Sequence, residues 1–171
     1  MNLPRTKLIP NGDNIVHTFT DTEYKNRQAR LRQHMAKNNI DAVIFTSIHS
    51  INYYSDFLYC SFGRPYALVL TQDKATTVTA NIDGGQPWRR TFGENLVYTD
   101  WQKDSYFYAL QKLIENKGTI GIEHDHITME RLDKLQSAFD KAKLIDISVD
   151  CMKMRSVKSD EEIAHIIQGA N

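Results

Sequence analysis

The residue of this chain best suited to bind a small anion is an arginine between a glycine and a proline, Gly63-Arg64-Pro65. The glycine permits an unusual backbone angle, and the proline fixes φ on the other side. The guanidinium is therefore held out from a stiffened loop, where it can bind a planar carboxylate through two hydrogen bonds. Phe62 can supply an apolar wall beside it. The alternative is a structural arginine that caps a turn or pairs with a local acid such as Asp56.

A second segment with recognition chemistry spans residues 83–90, where a glycine-rich turn precedes Trp88, Arg89 and Arg90. Tryptophan and arginine are enriched at the anchoring positions of protein interfaces, so these three residues are interface candidates. In the alternative arrangement, the tryptophan folds back onto its own sheet and the arginines lie in solvent.

The sequence contains few residue patterns that are typical of catalytic or metal-binding sites. The dense group Glu123-His124-Asp125-His126 would place its histidines on one side of an extended chain and its acids on the other, and a third ligand would have to come from far away in sequence. We therefore predict a polar turn that leaves a strand, and no metal site. The sequence has no phosphate-binding glycine motif, no Gly-x-Ser-x-Gly motif and no paired acid–base groups. Neither a catalytic residue nor a cofactor is predicted within this chain.

Composition favours one ordinary globular domain. Of the 171 residues, 41% are hydrophobic and 25% are charged, with 21 basic and 21 acidic residues. A net charge of zero argues against nucleic acid or an anionic membrane as partner, and the basic residues of the first helix are predicted to be solvated or interface charges. The two cysteines, Cys60 and Cys151, offer no disulfide framework, so we expect a cytoplasmic protein in which Cys60 is a small core residue.

The order of the predicted elements indicates the fold class. Residues 1–19 are polar and aperiodic and predict an arm that lies over the surface or against a partner. Apolar runs predict strands at 41–46, 66–71, 76–80, 96–99, 119–123 and 143–147, and helices are predicted at 20–38, 104–116, 128–141 and 149–155, with one helical turn within 47–55. A capping box at Ser159 begins a further helix that has no stop signal. This alternation predicts an α/β, three-layer-like domain with a mixed β-sheet flanked by helices.

Several segments of the chain resemble the creatinase/prolidase family and, within it, the creatine-hydrolysing creatinases. The Tyr-Cys-x-Phe-Gly-Arg stretch that ends at Arg64 and the Asp-Gly-Gly-Gln-Pro-Trp-Arg-Arg stretch at 83–90 are the most specific. Other matching segments lie at 45–47, 51–55, 98–101, 121–126, 154–155 and 158–159. The resemblance covers nearly the whole chain and is weakest over residues 1–19.

The resemblance implies that residues 20–157 are the N-terminal α/β domain of a two-domain enzyme that hydrolyses creatine to sarcosine and urea without a metal. It further implies that residues 158–171 begin a linker helix into a C-terminal catalytic domain of the "pita-bread" fold, which lies outside this chain, so that the chain alone is inactive. In a homodimer, Phe62 and Arg64 would complete the partner subunit's active site, with Arg64 on the creatine carboxylate.

Two alternatives stay open at this point. One is the N-terminal domain of an X-Pro dipeptidase or aminopeptidase of the same family, whose two Asp, one His and two Glu metal ligands would follow this chain. The other is a non-catalytic binding module with the same fold, as in some histone-chaperone domains.

Overall fold

The computed structural model describes residues 4–59 and 63–170. In these residues the strands are β1 (Thr6–Lys7), β2 (Ala42–Phe45), β3 (Ala67–Thr71), β4 (Ala75–Ala80), β5 (Glu94–Tyr98), β6 (Thr119–Ile122) and β7 (Lys143–Asp146). They form one mixed sheet in the order β1-β5-β4-β3-β2-β6-β7. The predicted hairpin is the antiparallel pair β3–β4, whereas β5 runs parallel to β4 and β6 runs parallel to β2. All six predicted strands are present, and β1, inside the predicted arm, is an additional strand.

Helices flank the sheet in two groups. They are α1 (Asp21–Lys37), α2 (Ile48–Ser55), α3 (Gln86–Arg90), α4 (Ser105–Leu113), α5 (Met129–Ala138), α6 (Ser148–Ser156) and α7 (Asp160–Ala170), with a 3-10 turn at Asn81–Asp83. Helix α1 packs with α2 and α6, and α4 packs with α5. This arrangement confirms the predicted α/β class, although α2 is longer than the single turn expected and α3 occupies a segment read as a turn. No helix in the described part of the chain has the length and hydropathy needed to cross a membrane.

The strand directions bring three loops together where the neighbouring strands β3, β4 and β5 start or end. Strand β3 is antiparallel to β4, so the start of β3 at Ala67 lies opposite Val78, near the end of β4. Because β5 is parallel to β4, the end of β5 at Tyr98 lies beside Ala80. The loop that enters β3, which carries Arg64, therefore meets the loops that follow β4 and β5.

The N-terminal arm lies along the surface of its own domain. Strand β1 extends the sheet at the edge formed by β5, with Thr6 opposite Tyr98. Farther along, the indole nitrogen of Trp88 donates to the carbonyl of Gly12 over 3.1 Å. The arm then ends at the N-cap of α1, where the Thr20 hydroxyl accepts a hydrogen bond from the Glu23 amide.

One basic residue of the first helix is buried within the domain, which corrects the prediction that all of these residues are solvated or interface charges. Arg27 is only 2% exposed, and its Nε donates to Glu23 Oε1 over 2.7 Å. Its guanidinium also lies 4.1 Å from the ring centroid of Phe19 and 3.1 Å from Glu162 Oε1 at the start of α7. Since buried arginine requires paired charges, these contacts tie the arm, α1 and α7 together.

A buried carboxylate fastens the arm to the end of α2. Asp56 Oδ2 accepts hydrogen bonds from the backbone N–H of Thr18 and contacts Nδ1 of His17, both at 3.0 Å. Burial by itself would raise the pKa of Asp56, but hydrogen bonds from Thr18, Tyr24 and His17 outweigh it and leave the pKa below its ordinary value. The ionised carboxylate is thus the form that the fold stabilises.

This pKa shift predicts a pH-dependent effect of Asp56→Asn. The folded pKa is depressed, so the stabilisation is fully present above the unfolded pKa and is lost as pH falls below 3.8. Asn tolerates the left-handed backbone found at this position (φ 59°), so the substitution isolates the charge. We expect the variant to melt about 2–6 °C lower at pH 7, and the difference from the parent chain to shrink as pH falls below 3.8. Circular-dichroism melts from pH 3 to 8, with the exposed Asp73→Asn as control, check this; a pH-independent difference would contradict it.

Candidate functional site

Arg64 lies on the loop between α2 and β3, and its guanidinium forms no hydrogen bond with another described residue. Gly63 adopts a φ of +80°, the left-handed conformation that only glycine takes readily, which confirms the expected unusual backbone angle. The Arg64 guanidinium carbon lies 4.7 Å from the centroid of the Trp101 ring. No hydrogen bond or ion pair within the described part of the chain occupies the N–H donors of this guanidinium, so they are available to a ligand.

The acids nearest in sequence to this loop and its neighbours are engaged elsewhere. Asp56, the alternative partner considered above, binds His17 and Thr18 instead. The carboxylate of Asp83 accepts the Tyr66 hydroxyl. On the loop after β5, Asp104 pairs with Lys134 at 2.9 Å. The structural pairing of Arg64 with a local acid is therefore not formed within the described residues.

Aromatic residues fix both stems of the Arg64 loop. The rings of Tyr59 and Tyr66 stack with centroids 4.4 Å apart. The hydroxyl of Tyr59 donates to the carbonyl of Thr46 over 2.9 Å, and the hydroxyl of Tyr106 donates to the carbonyl of Tyr66 over 3.3 Å. Burial, with the bond to Asp83, raises the pKa of Tyr66, so the hydroxyl stays protonated as a donor. Phe62 and Cys60, which lie between Tyr59 and Tyr66 in sequence, are outside the described residues.

The Arg64 guanidinium borders an open cleft of about 320 Å³. Tyr98 and Trp101 contribute aromatic surface, and the remaining lining residues are Ala80, Asn81, Ile82 and Thr99. The hydroxyl of Tyr98 is buried without a hydrogen-bond partner among the described residues, and burial raises its pKa. A cationic, aromatic cleft of this size suits one end of a small carboxylate ligand.

A larger cleft of about 530 Å³ lies beside the arm, but its lining does not suit an ionic ligand. Leu8, Leu96 and Leu113 form much of its wall. Its one charged lining residue, Glu94, pairs with Lys74 at 2.9 Å. We therefore place the candidate site at Arg64 rather than in the larger cleft.

The interface candidates on α3 divide into two groups. Trp88 and Arg89 hold the arm: the Trp88 indole bonds to Gly12, and Arg89 Nε donates to the carbonyl of Asp13 over 3.2 Å. Arg90 is exposed and borders a cleft of about 270 Å³ together with Asp83 and Tyr59. A role of these three residues in an interface between subunits stays a prediction.

The acid-and-histidine group after β6 is a turn at residues 124–126, as predicted, but its first acid is buried. Glu123 is 5% exposed, and its carboxylate accepts bonds from the backbone of Thr46 and Ser47 and from the hydroxyls of Ser47 and Ser50. These donors lie at the N-terminus of α2, so Glu123 caps that helix. Among the described residues, no group of three or more His, Cys, Asp or Glu side chains is arranged to hold a metal ion.

Comparison with known proteins connects this arrangement to a family. Residues 27–157 match the sequence model of the Creatinase/Prolidase N-terminal domain. The chain belongs to this family. Within it, the chain is 51% identical over 174 residues to a creatinase of Bacillus sp. (strain B-0618), an alignment that covers 99% of this chain and 42% of that protein. It is 28% identical to an uncharacterized hydrolase/peptidase of Sinorhizobium fredii, over 89% of this chain and 42% of that protein. The chain thus spans less than half of the curated relatives it matches.

Solved structures of the creatinase/prolidase family share the fold. A prolidase from Thermococcus sibiricus superposes with a TM-score of 0.70 at 19% identity, over 82% of this chain and 39% of that one. A proline dipeptidase from Streptococcus pneumoniae gives a TM-score of 0.68 at 13% identity, over 77% of this chain and 98% of that one. At such low identities these likenesses establish the architecture alone.

Proposed function

We propose that this chain is the N-terminal domain of a creatinase, in which Arg64 binds the carboxylate of creatine. The observation that carries the proposal is the Arg64 guanidinium, which faces an aromatic cleft without an acid partner among the described residues. The 51% identity to a Bacillus creatinase supports creatine as the substrate. Creatine has a carboxylate at one end and a guanidinium at the other, so it needs a cationic and an anionic partner. Hydrolysis adds water at the guanidinium carbon and breaks its bond to the sarcosine nitrogen, releasing urea.

The reacting end of creatine would be held by a second, C-terminal domain. In the described residues the carboxylates of Glu123 and Asp56 accept internal hydrogen bonds, which argues against an acid–base role for either. Helix α7 would lead into that domain, and its exposed apolar residues support this: Ile163 is 45% exposed and Ile166 is 59% exposed, one helical turn apart. The chain by itself should therefore not hydrolyse creatine.

We also infer a cytoplasmic location for the protein.

Arg64, with Phe62, would act across a homodimer, completing the partner subunit's site. The open cleft beside Arg64 supports this, because a second subunit could cover it. Trp88, Arg89 and Arg90 lie on the neighbouring loop–helix segment and are candidates for the subunit contact. Creatine and a second copy of the enzyme are therefore the proposed partners.

Heterodimers of two different variant subunits test this arrangement. A full-length subunit carrying Arg64→Ala is co-expressed with one inactivated by a substitution in its C-terminal catalytic domain, and heterodimers are isolated with two affinity tags. If Arg64 acts across the interface, the one working site contains an intact Arg64, and urea release should show the wild-type KM for creatine at about half of the wild-type maximal rate. If Arg64 acts within its own subunit, the one working site lacks Arg64 and its KM should be raised as in the Arg64→Ala homodimer, which would refute the proposal in its dimeric form.

The substrate itself is tested on the full-length wild-type protein. Urea release from creatine is expected, and no cleavage of X-Pro dipeptides in the presence of Mn²⁺. Cleavage of the dipeptides without hydrolysis of creatine would assign the chain to the peptidases instead. The absence of both activities would favour a binding module.

A further inference from the structure

The Trp101 ring stacks against the Arg64 guanidinium. The guanidinium carbon lies 4.7 Å from the indole centroid, within the range of a cation–π interaction. Trp101 is 48% exposed and lies on the loop after β5, far from Arg64 in sequence. Because Trp101 is half-exposed on a polar loop, it contributes little to the hydrophobic core. Core packing therefore does not explain its contact with Arg64.

Stacking orients an arginine in a way that an ion pair does not. The ring contacts the face of the guanidinium, whereas the N–H donors point outward in the guanidinium plane. An internal carboxylate would instead occupy two of those donors. The two acids flanking Trp101 are paired with lysines: Asp104 with Lys134 at 2.9 Å and Asp100 with Lys103 at 3.7 Å. These two acids therefore do not pair with Arg64. Its guanidinium is oriented by the Trp101 ring and has no acid partner among the described residues.

The loop that carries Trp101 is itself held in place by the N-terminal arm. Arg5 Nη2 donates to the carbonyl of Lys103 over 2.9 Å, and Arg5 Nε reaches the hydroxyl of Ser105 at 3.4 Å. Within the loop, the amide of Asp104 donates to the carbonyl of Trp101 over 3.2 Å. Hydrogen bonds therefore hold the loop that carries the Trp101 indole, so the indole can fix the position of another side chain.

We propose that Trp101 is a positioning residue for Arg64, fixing the guanidinium plane so that its paired N–H donors meet the substrate carboxylate. The inference rests on the proposed function, because it assigns Trp101 a part in the same carboxylate site. It adds a residue from the loop after β5 to the site formed by the Arg64 loop.

Steady-state kinetics of the full-length enzyme test the role. Trp101→Leu removes the π face but keeps apolar bulk, and should raise KM for creatine about two- to fivefold with kcat nearly unchanged. Trp101→Phe keeps a smaller π face and should fall between leucine and wild type. Binding of N,N-dimethylguanidine, which is creatine without its carboxylate arm, should be unchanged in both variants. A general structural defect would weaken both ligands.

A double-mutant cycle decides whether Trp101 acts through Arg64. In the Arg64→Ala background, Trp101→Leu should change KM by less than about 1.5-fold, because the group that it orients is gone. Independent effects that multiply would show that Trp101 does not work through Arg64. Thermal melts of both Trp101 variants establish that they fold, and the phenylalanine variant keeps the test decisive if the leucine variant does not.

The contact can also be measured in the 171-residue chain without any substrate. Its two tryptophans give two indole N–H signals in a ¹⁵N–¹H spectrum, and Trp88→Phe assigns them. Arg64→Ala should shift the Trp101 signal and leave that of Trp88 in place. An unmoved Trp101 signal would overturn the positioning role. If the signal shifts but Arg64→Ala leaves KM unchanged in the full enzyme, the contact stands and the proposed function fails instead.

Discussion

Arg64→Ala in the full-length enzyme is expected to raise KM for creatine roughly tenfold to 150-fold while changing kcat little. A charge-assisted, two-donor bond to a carboxylate contributes about 1.5–3 kcal/mol, and each 1.4 kcal/mol corresponds to a factor of about ten. The carboxylate is remote from the guanidinium carbon that reacts, so the bond is present equally in ground and transition states, and its loss appears in KM. Among the described residues Arg64 has no acid partner, so its removal should not leave a carboxylate unpaired within this chain.

Three comparisons make this result specific. Arg64→Lys keeps the charge but loses the planar pair of donors, and should give an intermediate KM. The inhibition constant of N,N-dimethylguanidine should not respond to either substitution. Arg30→Ala serves as the matched control, because it removes a guanidinium on α1 that binds the Tyr53 hydroxyl on α2. A KM for creatine within twofold of wild type in Arg64→Ala would eliminate the carboxylate role.

The fold could be predicted from sequence where local pattern and tertiary position agree. The apolar run at Ala42–Phe45 is a strand buried along its whole length, and such runs have no other stable position. The capping box at Ser159 is formed in both directions, with Ser159 Oγ accepting from the Glu162 amide and Glu162 Oε2 accepting from the Ser159 amide. The same sequence pattern at Thr20 and Glu23, at the start of α1, forms only half of such a box, because Glu161 accepts the Thr20 amide and Glu23 binds Arg27.

The candidate site was predictable only in part, because its supporting contacts are distant in sequence. Gly63 and Pro65 mark Arg64 as unusual, and this signal is local. The Trp101 contact depends on β5 lying beside β4, a pairing that no spacing between Arg64 and Trp101 encodes. Arg27 was mistaken for a solvated charge for the same reason, since its partner Glu162 belongs to α7. The type of a polar residue therefore indicates which interactions its side chain can make, and the topology decides whether that side chain is buried or exposed to solvent.

Contacts outside the family match also bear on the site. The matched segment is 27–157, yet Arg5 of the arm braces the loop that carries Trp101. Likewise, His17 and Thr18 of the arm occupy Asp56, the acid that could otherwise have paired with Arg64. The arm thus contributes to the site indirectly, both by supporting one loop and by engaging a competing carboxylate.

The largest loss of stability is expected for Glu123→Ala. The Glu123 carboxylate accepts four hydrogen bonds of 2.6–2.8 Å, two from backbone amides and two from serine hydroxyls. Truncation leaves these donors buried at the N-terminus of α2, and it also removes the negative charge that the helix end favours. An unpaired buried cluster of this kind costs about 3–5 kcal/mol in the free energy of unfolding. For a chain of this length that corresponds to a fall in Tm on the order of 10 °C.

Glu123→Gln separates the charge from the packing. The amide should place its oxygen toward the amides of Thr46 and Ser47, because a backbone N–H cannot reorient to accept a bond. Its NH₂ group then faces the hydroxyls of Ser47 and Ser50, which can rotate and accept. The second of these hydroxyls already receives a bond from Arg155 over 2.8 Å, so part of the network is lost. We expect about half the destabilisation of the alanine variant.

Urea unfolding of the 171-residue chain, followed by circular dichroism, measures both variants. Asp125→Ala is the matched control: it removes a neighbouring acid that is exposed and whose backbone alone takes part in a hydrogen bond, so the free energy of unfolding should change by less than about 0.5 kcal/mol. A loss below about 1 kcal/mol for Glu123→Ala would mean that water satisfies the four donors in the cavity left behind. The predicted order is therefore Asp125→Ala, Glu123→Gln, Glu123→Ala, because the cost of each change depends on the number of buried donors it leaves without an acceptor.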